Sequence, residues 1–250
     1  MCNTPLLDIK AVDRRLSKSV GKNSMVLDVG CGGGVDVLLM AKNGAFAIGL
    51  DIMLASVQIS GAREKAKSNK LIGRVGFIIA SAMNIPFKND IFDFTTSFSV
   101  IDHLPNKDEA FNAVKEMARV TKYEGDIIVT IPNSLFFIGT ISRWILRISK
   151  TETFFEQRFS PNELKKMFIK SGLKIQQYDS EWPTNIDKIM IDRRVPPFLR
   201  GKIPIKTMFP FLKIFKAFNN LSIFKLCGAR FGFRAKKINL SLVYTRAPSS

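Results

Sequence analysis

Histidine is almost missing from this 250-residue chain, where His103 stands alone. Cysteine is nearly as scarce: Cys2, Cys31 and Cys227 lie far apart and form no CxxC pair. Three scattered thiols and one imidazole supply neither a disulfide framework nor a zinc site, so no metal is expected and a reducing compartment fits. Long apolar runs are absent as well. No stretch reaches 18 uncharged apolar residues, which argues against a membrane-spanning helix, and no continuous apolar run opens the chain as a signal peptide does. Acidic residues are depleted in one region only. Residues 1–187 carry 24 basic and 20 acidic side chains, whereas residues 188–237 carry 13 basic ones and the single acid Asp192. A near-neutral body with a strongly basic segment favours an anionic partner, either a nucleic acid or an anionic membrane surface.

What is present is a regular alternation of short apolar runs and amphipathic stretches through the first 180 residues. Runs 25–30, 45–51, 75–80, 91–98, 126–132 and 173–179 read as strands. Residues 35–44, 53–70 and 107–121 read as helices, and Ser160-Pro161-Asn162-Glu163 opens another with a capping box and proline at its first position. Strand-helix-strand at this pitch implies an α/β fold: a three-layer, doubly wound, Rossmann-like sheet of seven mostly parallel strands. The seventh strand falls within 228–246, as ARFGFRAKK or as INLSLVYTR, and the better alternation of the second favours it. The expected organisation is a core over 1–180 with a cover segment at 133–158, a basic apolar helical lid over 181–237, and a final strand and tail over 238–250.

The stretch VLDVGCGGGVDVLL, residues 26–39, places glycines between a strand and a helix. Gly30 and Gly32 permit a sharp turn, and Gly34 permits close approach of a ligand or a neighbouring backbone. Asp51 closes the second strand, 21 residues after Gly30, where a carboxylate can accept hydrogen bonds from both hydroxyls of a ribose. Spacing then separates the nucleotides. Position 35, where a GxGxxG dinucleotide fingerprint carries its third glycine, is Val35, and the GK-Ser/Thr of a Walker loop is missing. Cys31, inside the turn, reads as a small filler rather than a nucleophile.

Asp28, Gly30, Gly32 and Gly34 resemble the first motif of the class I S-adenosylmethionine-dependent methyltransferases, in the small-molecule branch that includes the ubiquinone and menaquinone methyltransferases. The resemblance extends over about residues 20–180 and includes Ile85-Pro86-Phe87 and Phe92-Asp93. It implies S-adenosylmethionine as cofactor, with S-adenosylhomocysteine as product. Asp28 would help hold the methionine amino group, and the turn Gly30, Cys31, Gly32 and Gly34 would pass under methionine and ribose. Asp51 would bind the ribose hydroxyls and Ile52 would lie against adenine. Ser81 replaces the family's usual aspartate at the adenine amino group, so Ser81, Ala82 and Met83 carry adenine recognition through a hydroxyl or a backbone group. Ser99 and Val100 resemble the segment that lines the methionine moiety, and His103 falls where several relatives carry a histidine facing substrate.

Methyl transfer from a sulfonium is an in-line displacement, so alignment and exclusion of water do most of the work. A base is required only if the acceptor must lose a proton. His103 has the right intrinsic pKa for that role, with Asp102 as a neighbour able to orient it; substrate contact without proton transfer and a purely structural role remain alternatives. The acceptor is read from the two interruptions of the pattern. Residues 135–150 place Ile138, Ile141, Trp144, Ile145 and Ile148 on one helical side and Arg143, Arg147 and Lys150 on another, as in a cover helix or a surface-lying membrane helix. Residues 193–233 hold eight phenylalanines and almost no acid, too apolar for a solvated RNA-binding platform. The expected acceptor is therefore small and apolar or lipid-like, of isoprenoid or quinone type. It would be met in the cytoplasm or peripherally on the inner face of a membrane. An RNA (tRNA) methyltransferase and a non-catalytic S-adenosylmethionine-binding protein are the alternatives; no Asn-Pro-Pro-Tyr type motif follows the fourth strand. The same apolar helices could form a dimer contact, and oligomeric state stays open.

Overall fold

The computed structural model describes residues 20–53, 61–135, 157–181 and 230–238. Seven strands, β1 (Met25–Val29), β2 (Phe46–Asp51), β3 (Val75–Ile79), β4 (Phe92–Phe98), β5 (Thr121–Pro132), β6 (Leu173–Glu181) and β7 (Arg230–Lys237), form one sheet in the order β3-β2-β1-β4-β5-β7-β6. All pairs are parallel except those of β7, which runs antiparallel between β5 and β6. The α/β doubly wound architecture expected from the alternation is the one observed.

Helices cover both faces because the central strands β1, β4 and β5 bury side chains in both directions. On one face, α1 (Val35–Lys42) and α2 (Ala62–Ser68) pack Val37, Met40, Ala41 and Ala66 against Val26, Ala47 and Phe94. On the other, α3 (Lys107–Val120) and α4 (Pro161–Lys170) bury Val114, Met117, Leu164 and Phe168 against Leu27, Ile127, Val129 and Phe231. The capping box at Ser160 and Glu163 forms as the sequence implies, with both reciprocal hydrogen bonds and Pro161 in the first turn. Residues 54–60, the first part of the expected helix 53–70, lie outside the described residues.

Two expectations are corrected. The seventh strand is Arg230–Lys237, within ARFGFRAKK, and not INLSLVYTR. Phe231, Phe233 and Ala235 alternate into the core, and Arg234 forms a two-pronged pair with Asp126 of β5, Nε to Oδ1 at 3.0 Å and Nη2 to Oδ2 at 2.7 Å. Two core phenylalanines and a matched ion pair outweigh the cleaner pattern of the later stretch, whose residues 239–246 lie outside the described residues. The segment between β6 and β7 is consequently 182–229, shorter than the 181–237 expected; it and residues 136–156 of the cover segment 133–158 also lie outside the described residues. The fifth strand begins at Thr121 rather than 126. A register shift opposite Phe92 and Phe94 absorbs the extra residues around Glu124 (φ 60°).

The strand order reverses between β1 and β4, which leave their common edge in opposite directions. A ligand crevice forms beyond the carboxyl ends of the strands at such a point.

Candidate functional site

The chain leaves β1 and enters α1 within five residues, and this forces left-handed backbone at Gly30 (φ 76°), Gly32 (φ 48°) and Gly34 (φ 69°). The three glycines have different surroundings. A Cβ at Gly30 would lie 2.2 Å from a Val100 methyl, and one at Gly34 would lie 2.6 Å from the Phe77 ring; one at Gly32 would meet nothing within 4 Å among the described residues. Gly30 thus admits Val100 from beyond β4. Gly34, expected to admit a ligand or a backbone, admits a β3 side chain instead. Gly32 faces open space.

Asp51 stands beside that opening. Its Oδ2 accepts the Gly32 N–H at 2.8 Å and its Oδ1 accepts the Met53 N–H at 2.9 Å. Gly30 and Cys31 donate their N–H groups to the Leu50 carbonyl, at 2.7 and 3.0 Å, which fixes the turn against the end of β2. A carboxylate offers about four acceptor positions, so the two backbone contacts leave Asp51 able to accept from two more donors. Next to it, the Ile52 side chain is 69% exposed, an apolar surface at the mouth of the crevice.

Asp28 is buried at the end of β1 and accepts the Thr96 hydroxyl at 2.7 Å across the β1–β4 pair. Cys31 lies between the two acids. Burial, followed by the charges of Asp28 and then Asp51, pushes its thiol up to about 12. The group stays a neutral thiol at physiological pH, which agrees with a filler and opposes a nucleophile. Its sulfur occupies the space left by Gly49 of β2, where a Cβ would lie 2.6 Å away.

On the β3 side, Ser81 Oγ accepts the Met83 N–H at 3.2 Å, Ser81 bridges to Asn84, and Ala82 is buried beneath. The Met83 N–H is therefore already engaged by Ser81 itself, and the hydroxyl keeps one further acceptor position. On the β4 side, Ser99 takes a left-handed backbone (φ 54°) and donates its N–H to the Thr130 carbonyl at 2.8 Å. A 3-10 turn, Ile101–His103, follows. Asp102 is fully buried there, its Oδ2 lies 3.7 Å from His103 Nε2, and the His103 side chain is 46% exposed. The two adjacent residues approach each other at ion-pair distance while the imidazole reaches solvent. Gln157, whose N–H donates to the Asp102 carbonyl at 2.6 Å and whose side chain donates to the Leu104 carbonyl, holds the turn in place.

The residues fit the sulfonium nucleoside that the sequence implies. Two carboxylates flank the turn, and a cation is favoured where two acids already disfavour a thiolate. The open face of Gly32 leaves room against backbone, Asp51 retains acceptor capacity for a diol, and Ile52 offers an apolar surface. Sequence reading missed Thr96 and Gly49, which have no motif of their own.

A family model described as "Methyltransferase domain" matches residues 21–182. Tocopherol O-methyltransferase of Arabidopsis thaliana is 38% identical over 109 residues, 43% of this chain and 30% of that protein. A ubiquinone biosynthesis O-methyltransferase of Nitrosospira multiformis is 27% identical over 171 residues, 66% of this chain and 68% of that one. The chain spans less than half the length of several curated relatives it matches. Among solved structures, an S-adenosylmethionine-dependent methyltransferase from Methanosarcina mazei superposes with a TM-score of 0.64 at 17% identity, covering 90% of this chain and 97% of that one.

Proposed function

From the premise that this chain belongs to the class I S-adenosylmethionine-dependent methyltransferase family, we propose that it methylates a small apolar or lipid-like acceptor, of isoprenoid or quinone type, at an anionic membrane surface. The single observation that carries donor binding is the open face of Gly32 beside an Asp51 carboxylate with acceptor capacity to spare. When bound, S-adenosylmethionine supplies an electrophilic methyl on a sulfonium. Asp28 holds the amino end, Asp51 takes the ribose diol, and Ile52 with Ser81, Ala82 and Met83 encloses adenine. Ser99 and Val100, on the far side of the glycine turn, line the methionine end.

His103, with Asp102 behind it, faces the acceptor. A phenolic or enolic hydroxyl must lose its proton as its oxygen takes the methyl, and an imidazole paired with a carboxylate is suited to receive it at near-neutral pH. The acceptor class rests on the basic, phenylalanine-rich sequence of 188–237 and on relatives that bear the names of tocopherol and ubiquinone O-methyltransferases. Among the described residues no helix is long and apolar enough to cross a membrane.

The test is transfer of labelled methyl to a panel of hydroxylated prenyl-quinols and to unmodified tRNA, with and without anionic liposomes. Transfer to the quinol set, enhanced by liposomes, supports the proposal, and His103→Gln then lowers kcat while leaving cofactor binding unchanged. Transfer to tRNA alone replaces it with the RNA reading, and cofactor binding with no transfer to either favours a non-catalytic binder.

A further inference from the structure

The loop that runs from the adenine side of the site back to β4, residues 84–91, has almost no secondary structure of its own. It is held instead by one guanidinium. Arg119, in the last turn of α3, donates through Nε to Glu116 Oε1 (2.6 Å) and through Nη2 to Glu116 Oε2 (2.8 Å) and the Ile85 carbonyl (2.9 Å). Through Nη1 it donates to the Phe87 carbonyl (2.8 Å) and to Asn89 Oδ1 (2.9 Å). Arginine has five N–H donors in a fixed planar fork, and here all five are used. Glu116 closes the circuit: its Oε2 also accepts the Ile85 N–H at 2.9 Å. The backbone beyond is tied by the same helix end, Asp90 N–H to the Arg119 carbonyl at 3.1 Å and Ile91 N–H to the Val120 carbonyl at 2.8 Å.

This clamp grips both the donor and the acceptor of Ile85, whose side chain is buried in the core. Two residues upstream is Met83, and Asn84 donates its N–H to the Ser81 carbonyl at 3.1 Å. The Ser81–Asn84 turn therefore lies between the end of β3 at Ile79 and Ile85, which α3 fixes. Ser81 replaces an acid that would bind adenine directly, which leaves recognition on this side to the placement of a hydroxyl and of backbone. Placement of that kind depends on what fixes the loop. Neither charged residue touches the crevice; each acts through Ile85.

Resting on the donor-site reading above, we propose that Glu116 and Arg119 are positioning residues for the adenosine half of the cofactor, setting the Ser81–Met83 turn from the far end of α3. A lysine cannot replace the arginine, because a single ammonium cannot reach the carbonyls of residues 85 and 87, the Asn89 amide and both oxygens of Glu116 together.

The experiment is calorimetric titration of the full chain with S-adenosylhomocysteine and with 5′-methylthioadenosine, which lacks the amino-acid end. Wild type is compared with Arg119→Lys, Arg119→Met, Glu116→Gln and, as a control, Lys115→Met from the exposed face of the same helix. Measurements are made well below each variant's unfolding temperature. The expected result is a dissociation constant raised about fivefold or more for both ligands in each folded Arg119 variant, a smaller rise in Glu116→Gln, and no change in the control. Equal loss for the two ligands places the effect on the adenosine half that they share, and Leu164→Ala, which loosens the core beneath α4, binds both as wild type does; an equal loss in Leu164→Ala would mark general loosening and overturn the inference. A folded Arg119 variant that binds within less than about fivefold of wild type overturns the inference, as does a loss confined to S-adenosylhomocysteine. If both Arg119 variants fail to fold, unchanged binding by Glu116→Gln overturns it. If wild type itself binds neither ligand, the donor-site reading has failed and takes this one with it.

Discussion

Gly32→Ala separates the fold from the site. Its φ of 48° is left-handed, and alanine there costs about 1 kcal/mol, the lower end of the penalty for an L-residue in that region. No steric term is added among the described residues, because the new methyl meets none of them within 4 Å. For a domain of this size, about 1 kcal/mol corresponds to a fall in melting temperature of about 2–4 °C. The same methyl projects into the space assigned to the cofactor, next to the N–H that Asp51 accepts. A cofactor packed on backbone at that point has to move away, and a loss of about 2–3 kcal/mol, or 30- to 150-fold in affinity, follows. The assay pairs thermal unfolding without ligand with calorimetric titration of S-adenosylhomocysteine. A near-native melting temperature with binding reduced by more than about tenfold is the expected outcome. Unimpaired binding in a folded Gly32→Ala protein refutes the placement of the cofactor on this glycine.

Gly30→Ala behaves in the opposite way. Its Cβ would lie 2.2 Å from a Val100 methyl on top of a φ of 76°, so stability falls by about 2–4 kcal/mol, and adding Val100→Ala recovers part but not all of it in chemical denaturation. Cys31, with its thiol pushed up to about 12 by burial and by Asp28 and Asp51, resists thiol reagents in the folded protein at pH 8 and reacts once unfolded. Because the folded-state value is the raised one, its contribution to stability is intact below the ordinary thiol value and is lost as pH climbs toward the folded value; replacement by alanine flattens that alkaline decline. Glu116 has the reverse sign. The Arg119 hydrogen bond lowers its pKa against the opposing effect of burial, so the stability it contributes is present above the ordinary carboxylate value. That contribution disappears as pH falls through the lowered one. Stability curves of wild type and Glu116→Gln converge on acidification.

The fold was legible because the central parallel strands are short apolar runs buried on both faces and the helices have an apolar side, so period marks them. The glycine turn was legible for a different reason: a strand-to-helix connection with three left-handed residues favours glycine at 30, 32 and 34, and that preference is written in the residue types. The spacing did not reveal that only Gly32 opens outward, since this depends on where Val100 and Phe77 arrive from other strands. The last strand was misplaced because period-2 alternation cannot register the Asp126–Arg234 pair, which joins residues 108 apart. Glu116 and Arg119 escaped notice because a loop's carbonyls leave no trace in sequence. The acceptor half rests on charge and phenylalanine content alone, which describe a class of surface and not a shape.

The central claim, that the turn from Gly30 to Gly34 with Asp51 holds S-adenosylmethionine, is tested most directly by titrating wild type and Asp51→Ala with S-adenosylhomocysteine in a calorimeter. The account predicts saturable one-to-one binding by wild type and a loss of about tenfold or more on removing the carboxylate proposed to accept the ribose hydroxyls. Absence of binding by the folded wild type, or equal affinity in a folded Asp51→Ala protein, would contradict it.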